Sequence, residues 1–171
     1  MNCPDPQDCI LSLAEAVKWR NELRKNGKKL VVTNGCFDLV HRGHASYLRH
    51  AASFGDELLV LVNSDASVQQ LKGPSRPLVS EQDRGYLLCA LKPVSRVVIF
   101  NDSRCAAELA ALAPDIYVKA GDYTLEKLDA SEREALLANN TEIIFAPFVG
   151  GFSTTNIVEK ILQTSKQDQL G

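Results

Sequence analysis

His41-Arg42-Gly43-His44 sets two imidazoles three positions apart, just beyond the apolar run Leu30-Val31-Val32 and at the opening of an amphipathic stretch. Residues three apart share one face of a helix, so the pair converges on a small volume, and Gly43 leaves room for a phosphate to approach the backbone. A segment that leaves a strand and starts a helix also turns unpaired N–H groups and the positive end of the helix dipole toward the same anion. The chemistry indicated is phosphate binding, with donors aimed at charge that develops in a phosphoryl-type transition state. A metal centre is poorly supported. Asp38 is the only close third ligand, no H-E-x-x-H occurs, and no cysteine is placed with the pair. The bland alternative makes His41 a loop cap and His44 a satisfied half-buried side chain. Gly35, Phe37 and Asp38, in the same strand-to-helix turn, weigh against it. His50 has no such setting and is left to solvent or to packing within its helix.

Alternating elements must position this turn. Short β-branched runs at Leu30–Thr33, Leu58–Val62, Val97–Phe100, Ile116–Val118 and Ile143–Phe145 read as five strands buried on both faces. Helical patterns lie between them at His44–Ser53, Glu81–Leu91, Cys105–Leu112 and Ser131–Asn139, and Thr154–Leu162 follows the last strand. Ahead of them, Ser12-Leu13-Ala14-Glu15 has the form of a capping box and Gly27 stops the helix it opens. The pattern predicts an α/β fold: a single Rossmann-like domain with a five-stranded parallel sheet, helices on both faces, and ligands at the carboxyl ends of the strands. Its bounds are an N-terminal extension and helix over 1–28, the domain over 29–165 and a tail over 166–171. Polar clusters follow four of the runs, at Asn34–His44, Asn63–Asp65, Lys119–Tyr123 and Gly150–Asn156. Lys72–Arg76, with Gly73 and Pro74, reads as a loop.

Composition narrows the rest. The 171 residues suit one domain with a core of its own, and 45% hydrophobic with 23% charged residues is the balance of a soluble globular protein. A net charge of -2 gives no general attraction for nucleic acid or for a membrane surface, so an anion must be held by local donors. Five cysteines without C-x-x-C spacing fit reduced thiols in the cytoplasm, and neither a signal peptide nor a run of membrane-spanning length is present.

The stretch Thr33-Asn34-Gly35-Cys36-Phe37-Asp38-Leu39-Val40-His41-Arg42-Gly43-His44 resembles the signature of the cytidylyltransferase-like nucleotidyltransferases. Asn63-Ser64-Asp65-Ala66-Ser67, Leu71-Lys72-Gly73, Arg76-Pro77, Lys119-Ala120-Gly121-Asp122-Tyr123 and Ser153-Thr154-Thr155-Asn156-Ile157 follow in the family's order, from about Leu30 to Leu162. Within that superfamily the motifs are most similar to the branch that adenylylates D-glycero-β-D-manno-heptose 1-phosphate, which is often fused behind a sugar kinase; these residues include no kinase domain.

The resemblance implies attack by a sugar-phosphate oxygen on the α-phosphorus of ATP, with Mg²⁺ arriving with the nucleotide, pyrophosphate leaving and ADP-heptose formed. Such a transfer rests on positioning and charge neutralisation rather than on a nucleophilic side chain. It implies nucleotide contacts from Asn34, Gly35, Cys36, Phe37, Gly43, Lys119, Gly121, Asp122, Tyr123, Phe152, Ser153, Thr154 and Thr155. His41, His44 and Lys72 carry catalysis in this reading, the histidines at the nucleotide's phosphates and Lys72 at the acceptor's. Asp38, which also orients the loop, and Asn63, Asp65, Arg76 and Arg84 fall to the acceptor side. Asp65 has the alternative of capping the next helix, and Arg84 that of pairing with Glu81 or Asp83 on the surface. ATP and a sugar phosphate are the expected partners, and the family often forms homodimers.

Glycerol-phosphate cytidylyltransferases are similar too, but they tend to carry an arginine where Phe148 stands and to open the signature with Tyr-Gly-Thr rather than Asn34-Gly35-Cys36. Both differences favour the heptose branch. Ser95 stands where either branch usually has an acid. A nucleotide-binding module without turnover is the alternative from another class; the joint presence of the histidine pair and Lys72 argues against it.

Overall fold

Buried β-branched runs become parallel strands because only a sheet with both faces covered can take them. The structure, a computed structural model, describes residues 5–121, 123–147 and 154–168, without the side chains of 155 and 165–168. After a 3-10 turn at Pro6–Cys9, the elements run β1 (Ile10–Leu11), α1 (Leu13–Lys25), β2 (Leu30–Gly35), α2 (Arg42–Ala52), β3 (Glu57–Asn63), α3 (Asp65–Lys72) and α4 (Glu81–Cys89). They continue as β4 (Arg96–Phe100), α5 (Ala106–Leu112), β5 (Ile116–Ala120), α6 (Ala130–Ala138), β6 (Glu142–Ala146) and α7 (Thr154–Asp168).

The sheet is parallel in the order β1-β4-β3-β2-β5-β6. Chain direction across it reverses at β2, whose neighbours are β3 on one side and β5 on the other, so a crevice opens at the carboxyl ends of β2 and β5. One face packs Leu30, Val32, Leu59 and Leu61 against α1, α5 and α6; the other packs Val31, Leu58, Val60 and Val62 against Leu48 and Ala51 of α2 and Leu88 of α4. Alternate residues of the same strands serve the two faces, as the pleat requires.

The sheet has six strands where the sequence indicates five. The extra one, Ile10–Leu11, pairs with Val97 and Val98 of β4. The N-terminal segment also enters the core. Ser12 and Glu15 form the expected capping box, and Arg20, nearly fully buried, reaches Asp115 at 2.9 Å. A second difference is α3. Lys72 is the last residue of this helix, with Gly73 at φ 95° as its C-cap, and is not part of a loop. Ser95 bonds the Leu58 backbone at the amino end of β4, the opposite edge from the crevice, so no side chain there faces the ligand site. Among the described residues no helix is long and apolar enough to cross a membrane.

Candidate active site

The turn after β2 is held from beneath. Phe37 takes a left-handed conformation at φ 49° and is buried, while a Cβ on Gly35 would come within 3.0 Å of its ring. Asp38, also buried, accepts from Arg76 Nη1 at 2.5 Å and from the N–H groups of Leu78 and Val79 at 2.7 and 3.1 Å. Burial alone would raise this carboxyl; the guanidinium and the two N–H groups outweigh it and hold it below the ordinary aspartate range. Asp38 and Arg76 thus orient the loop, and their charges are turned on each other rather than on a substrate.

His41 is the N-cap of α2, its Nδ1 accepting from the His44 N–H at 3.4 Å. The two rings stack with centroids 3.9 Å apart and planes 20° from parallel, and Phe37 lies 5.2 Å from the His44 ring at a tilt of 60°. Burial lowers the pKa of His41. Burial first, then the His41 and Lys72 charges, lowers that of His44 to about 4, although the Leu39 carbonyl acts the other way. Nδ1 of His44 is buried and has no hydrogen-bond partner among the described residues. The cap assigns a neutral His41 its proton on Nε2, so this ring presents a donor at its outer edge. His44 becomes a donor at both ring nitrogens on taking up a proton.

A triphosphate bound at this turn would reverse the charge environment and raise both histidines. Calorimetry of Mg·ATP binding near pH 6, in buffers of different ionisation enthalpy, is therefore expected to show proton uptake that His44→Gln reduces. Equal uptake in the two proteins would remove His44 from the phosphate site. The same shift sets a stability trend: with a folded pKa of about 4, below the ordinary histidine value, His44 binds its proton more readily in the unfolded chain. Stability is lost as pH falls through that interval.

On the side of β3, Lys72 makes no hydrogen bond or ion pair with a described residue and lies close enough to lower both His44 and the Cys36 thiol. Burial is the larger influence on Cys36 and leaves its pKa raised, which removes it as a ready nucleophile. Asn63 is buried, accepting from Cys36 Sγ at 3.8 Å and donating to Ser67 Oγ at 2.9 Å. Asp65 does not cap α3, a role that Ser64 takes. Its carboxylate accepts from Arg84 Nη2 at 2.8 Å. Arg84 is fully buried, with Nε on the Val79 carbonyl at 3.0 Å and Nη1 on the Cys36 carbonyl at 2.5 Å. Neither the surface pairing with Glu81 or Asp83 nor a direct substrate contact fits this geometry, because no face of the guanidinium reaches solvent.

Across the crevice, Asn34 Oδ1 accepts from Tyr117 OH and from Lys119 Nζ, each at 2.7 Å. Buried Glu132 stands 3.8 Å from the same ammonium, and Lys119 lies 5.5 Å from the Tyr123 ring centroid. Gly121 has φ 113°, a conformation open to glycine, and its N–H bonds the Ala146 carbonyl at 2.9 Å.

These walls enclose a cavity of about 480 Å³, in the range of small-molecule sites. Of the residues the sequence singles out, Asn34, Gly35, Cys36, Phe37, Asp38, His41, Gly43, His44, Asn63, Lys72, Lys119, Tyr123 and Thr154 line it. Asp65, Arg76, Arg84 and Gly121 do not line it. Asp122, Phe148, Phe152 and Ser153 lie outside the described residues, and only the backbone of Thr155, in the first turn of α7, is described. Tyr47, Ser103 and Arg104, outside the motifs read from sequence, and Leu71 and Ala120, within them but given no role, also line the cavity. Position alone flags Ser103-Arg104: they follow the strand run ending at Phe100, as the other polar clusters follow theirs.

A parallel sheet whose order reverses at β2, with a stacked histidine pair and a lysine without a partner among the described residues at that edge, is a nucleotidyltransferase arrangement. The chain belongs to the cytidylyltransferase-like family, whose model matches residues 32–160. It is 46% identical over 161 residues to the bifunctional protein HldE of Syntrophotalea carbinolica, covering 94% of this chain and 32% of that one. To the HldE of Helicobacter pylori strain G27 it is 48% identical over 147 residues, covering 86% and 30%. The chain thus spans about a third of the length of these curated relatives. The crystal structure of a lipopolysaccharide core biosynthesis protein from Thermoplasma volcanium aligns with a TM-score of 0.59 at 27% identity, over 74% of this chain and 100% of that one. A pantoate-beta-alanine ligase from Francisella tularensis, with a TM-score of 0.54 at 15% identity over 81% and 66%, shares the fold alone.

Proposed function

We propose that the protein transfers AMP from Mg·ATP to a sugar 1-phosphate, D-glycero-β-D-manno-heptose 1-phosphate, releasing pyrophosphate. The observation that carries this reading is the His41–His44 stack at the opening of α2, facing Lys72 across the cavity at the point where the sheet order reverses. An oxygen of the acceptor's phosphate attacks the α-phosphorus, the bond from that phosphorus to the bridging oxygen of the β-phosphate breaks, and pyrophosphate takes the electron pair. No covalent enzyme intermediate is needed, in keeping with a Cys36 thiol that resists ionisation. The protein's part is to fix the two phosphates in line and to donate to the oxygens as charge builds. His41 and His44 serve the nucleotide's phosphates, Lys72 the acceptor's. The first turn of α2, which includes Gly43, adds backbone N–H groups that have no partner within the helix.

Mg²⁺ enters as part of the nucleotide substrate. Among the described residues no three metal-ligating side chains converge, and the cavity's Asp38 carboxylate already accepts three bonds. The sugar phosphate is supported by the HldE relatives and by a structural neighbour that is a lipopolysaccharide core biosynthesis protein. A pyrophosphate-release panel crossing ATP and CTP with heptose 1-phosphate and glycerol 3-phosphate tests it, the ATP and heptose 1-phosphate pair being expected to dominate. Faster turnover of CTP with glycerol 3-phosphate would overturn the acceptor assignment, and nucleotide binding without turnover of any pair would overturn the enzymatic reading.

A further inference from the structure

We propose that Arg104 is a phosphate-binding residue of this cavity, one that reaches the ligand from the opposite face of the sheet to the histidine pair. The inference rests on the nucleotidyl-transfer reading for its ligand class, but its physical basis is separate. Ser103 and Arg104 lie between β4 and α5, and α5 packs with α1 and α6 on one face. The histidines belong to α2, which packs on the other. Both groups line the one cavity, so a ligand lying across the carboxyl edge of β2 and β3 has donors on both sides.

Arg104 is anchored at one edge only. Its Nε donates to Asp129 Oδ2 at 3.0 Å, and its two Nη groups have no partner among the described residues. Asp129 is itself fixed as the N-cap of α6, its Oδ1 accepting from the Ser131 N–H at 3.0 Å. The guanidinium is thus aimed by a carboxylate that the start of a helix holds still. The pair contributes little to stability, since the Arg104 side chain is 52% exposed. What the anchor leaves available is the fork of coplanar Nη donors, whose geometry matches two oxygens of one phosphate.

Charge balance gives this fork a task. A nucleoside triphosphate and a phosphomonoester together bring several negative charges into the cavity. Of the three permanent cations lining it, Lys119 is directed at Asn34 and Tyr117 with Glu132 behind it, which leaves Lys72, without a partner among the described residues, and the Nη groups of Arg104, whose Nε alone is taken by Asp129. Two cations can neutralise charge on two phosphates, and an in-line transfer rests on such positioning and neutralisation. The phosphate at Arg104 is either the nucleotide's or the acceptor's.

Arg104→Gln in the full chain separates these sources. A non-hydrolysable ATP analogue titrated into free protein reads the donor arm; inorganic phosphate titrated into protein saturated with that analogue reads the acceptor arm. One of the two affinities is expected to fall ~10-fold or more, the ratio for one charge-assisted contact, with the melting temperature unchanged. Asp129→Asn, which keeps a helix-capping side chain but loses the charge that aims the fork, is expected to weaken the same arm by less. Changes under about twofold in both arms would overturn the proposal. These are binding measurements, so they decide the role of Arg104 even if no substrate pair turns over.

Discussion

His44→Ala is expected to lower turnover at least ~100-fold with nucleotide affinity much less affected, the pattern of a donor whose bond strengthens as the transition state forms. The stacked geometry is what makes the effect large. Two imidazoles with centroids 3.9 Å apart cannot both be charged in the free protein without repelling each other, and burial already keeps them neutral. The charge on the reacting phosphates supplies the compensation, so the charged form of His44 is stable only when the ligand is in place. His41 needs a different variant, because its Nδ1 also caps α2. His41→Asn retains a side chain of the type that caps helices and removes the Nε2 donor, so the fold should hold while turnover falls by a comparable factor. Steady-state pyrophosphate release beside thermal melting checks both. If His41→Asn melts normally and turns over at the wild-type rate, His41 is a cap and nothing more.

The histidine turn is legible in sequence because its outline is local: a strand end, Gly35 where a Cβ would crowd the Phe37 ring, and two side chains one helical turn apart; the bonds from Arg76 and Arg84 that hold it, 38 and 48 positions away, are not. The same holds for the five long strands, whose β-branched runs are bounded by turn residues. Ile10–Leu11 is too short to show a period, and it becomes a strand only because β4 offers an open edge. The helix over Asp65–Lys72 is hinted at only by Asp65 as a possible cap and is absent from the helical patterns, because only Ser67 and Val68 of its eight residues are buried, which leaves no apolar stripe to read. Arg84 shows a deeper limit. Its sequence neighbours Glu81 and Asp83 invited a surface pair, whereas its partner Asp65 sits 19 positions away and meets it only once α3 and α4 have docked. Arg104 hid for the same reason, its anchor Asp129 lying 25 positions along the chain.

Arg84→Ala is expected to destabilise the fold by about 3 kcal/mol, the lower end for breaking a buried ion pair, since Asp65 retains enough exposure to regain water. The carbonyls of Cys36 and Val79 lose their donors at the same time. Arg84→Lys should recover little, because one ammonium cannot occupy the three directions taken by Nε, Nη1 and Nη2. Urea denaturation measures the loss, and substrate kinetics well below the melting transition separate the two roles open to this residue. As a positioning residue it fixes the carbonyl of Cys36, one residue before the strained Phe37 that packs on His44. Its loss should then lower kcat through the displaced histidine pair, with acceptor KM changing less. A substrate ligand would behave in the opposite way, with unchanged stability and a raised acceptor KM. The full burial of the guanidinium decides between them in advance: a group bonded on every side within the protein acts on the phosphates only through the loop it holds.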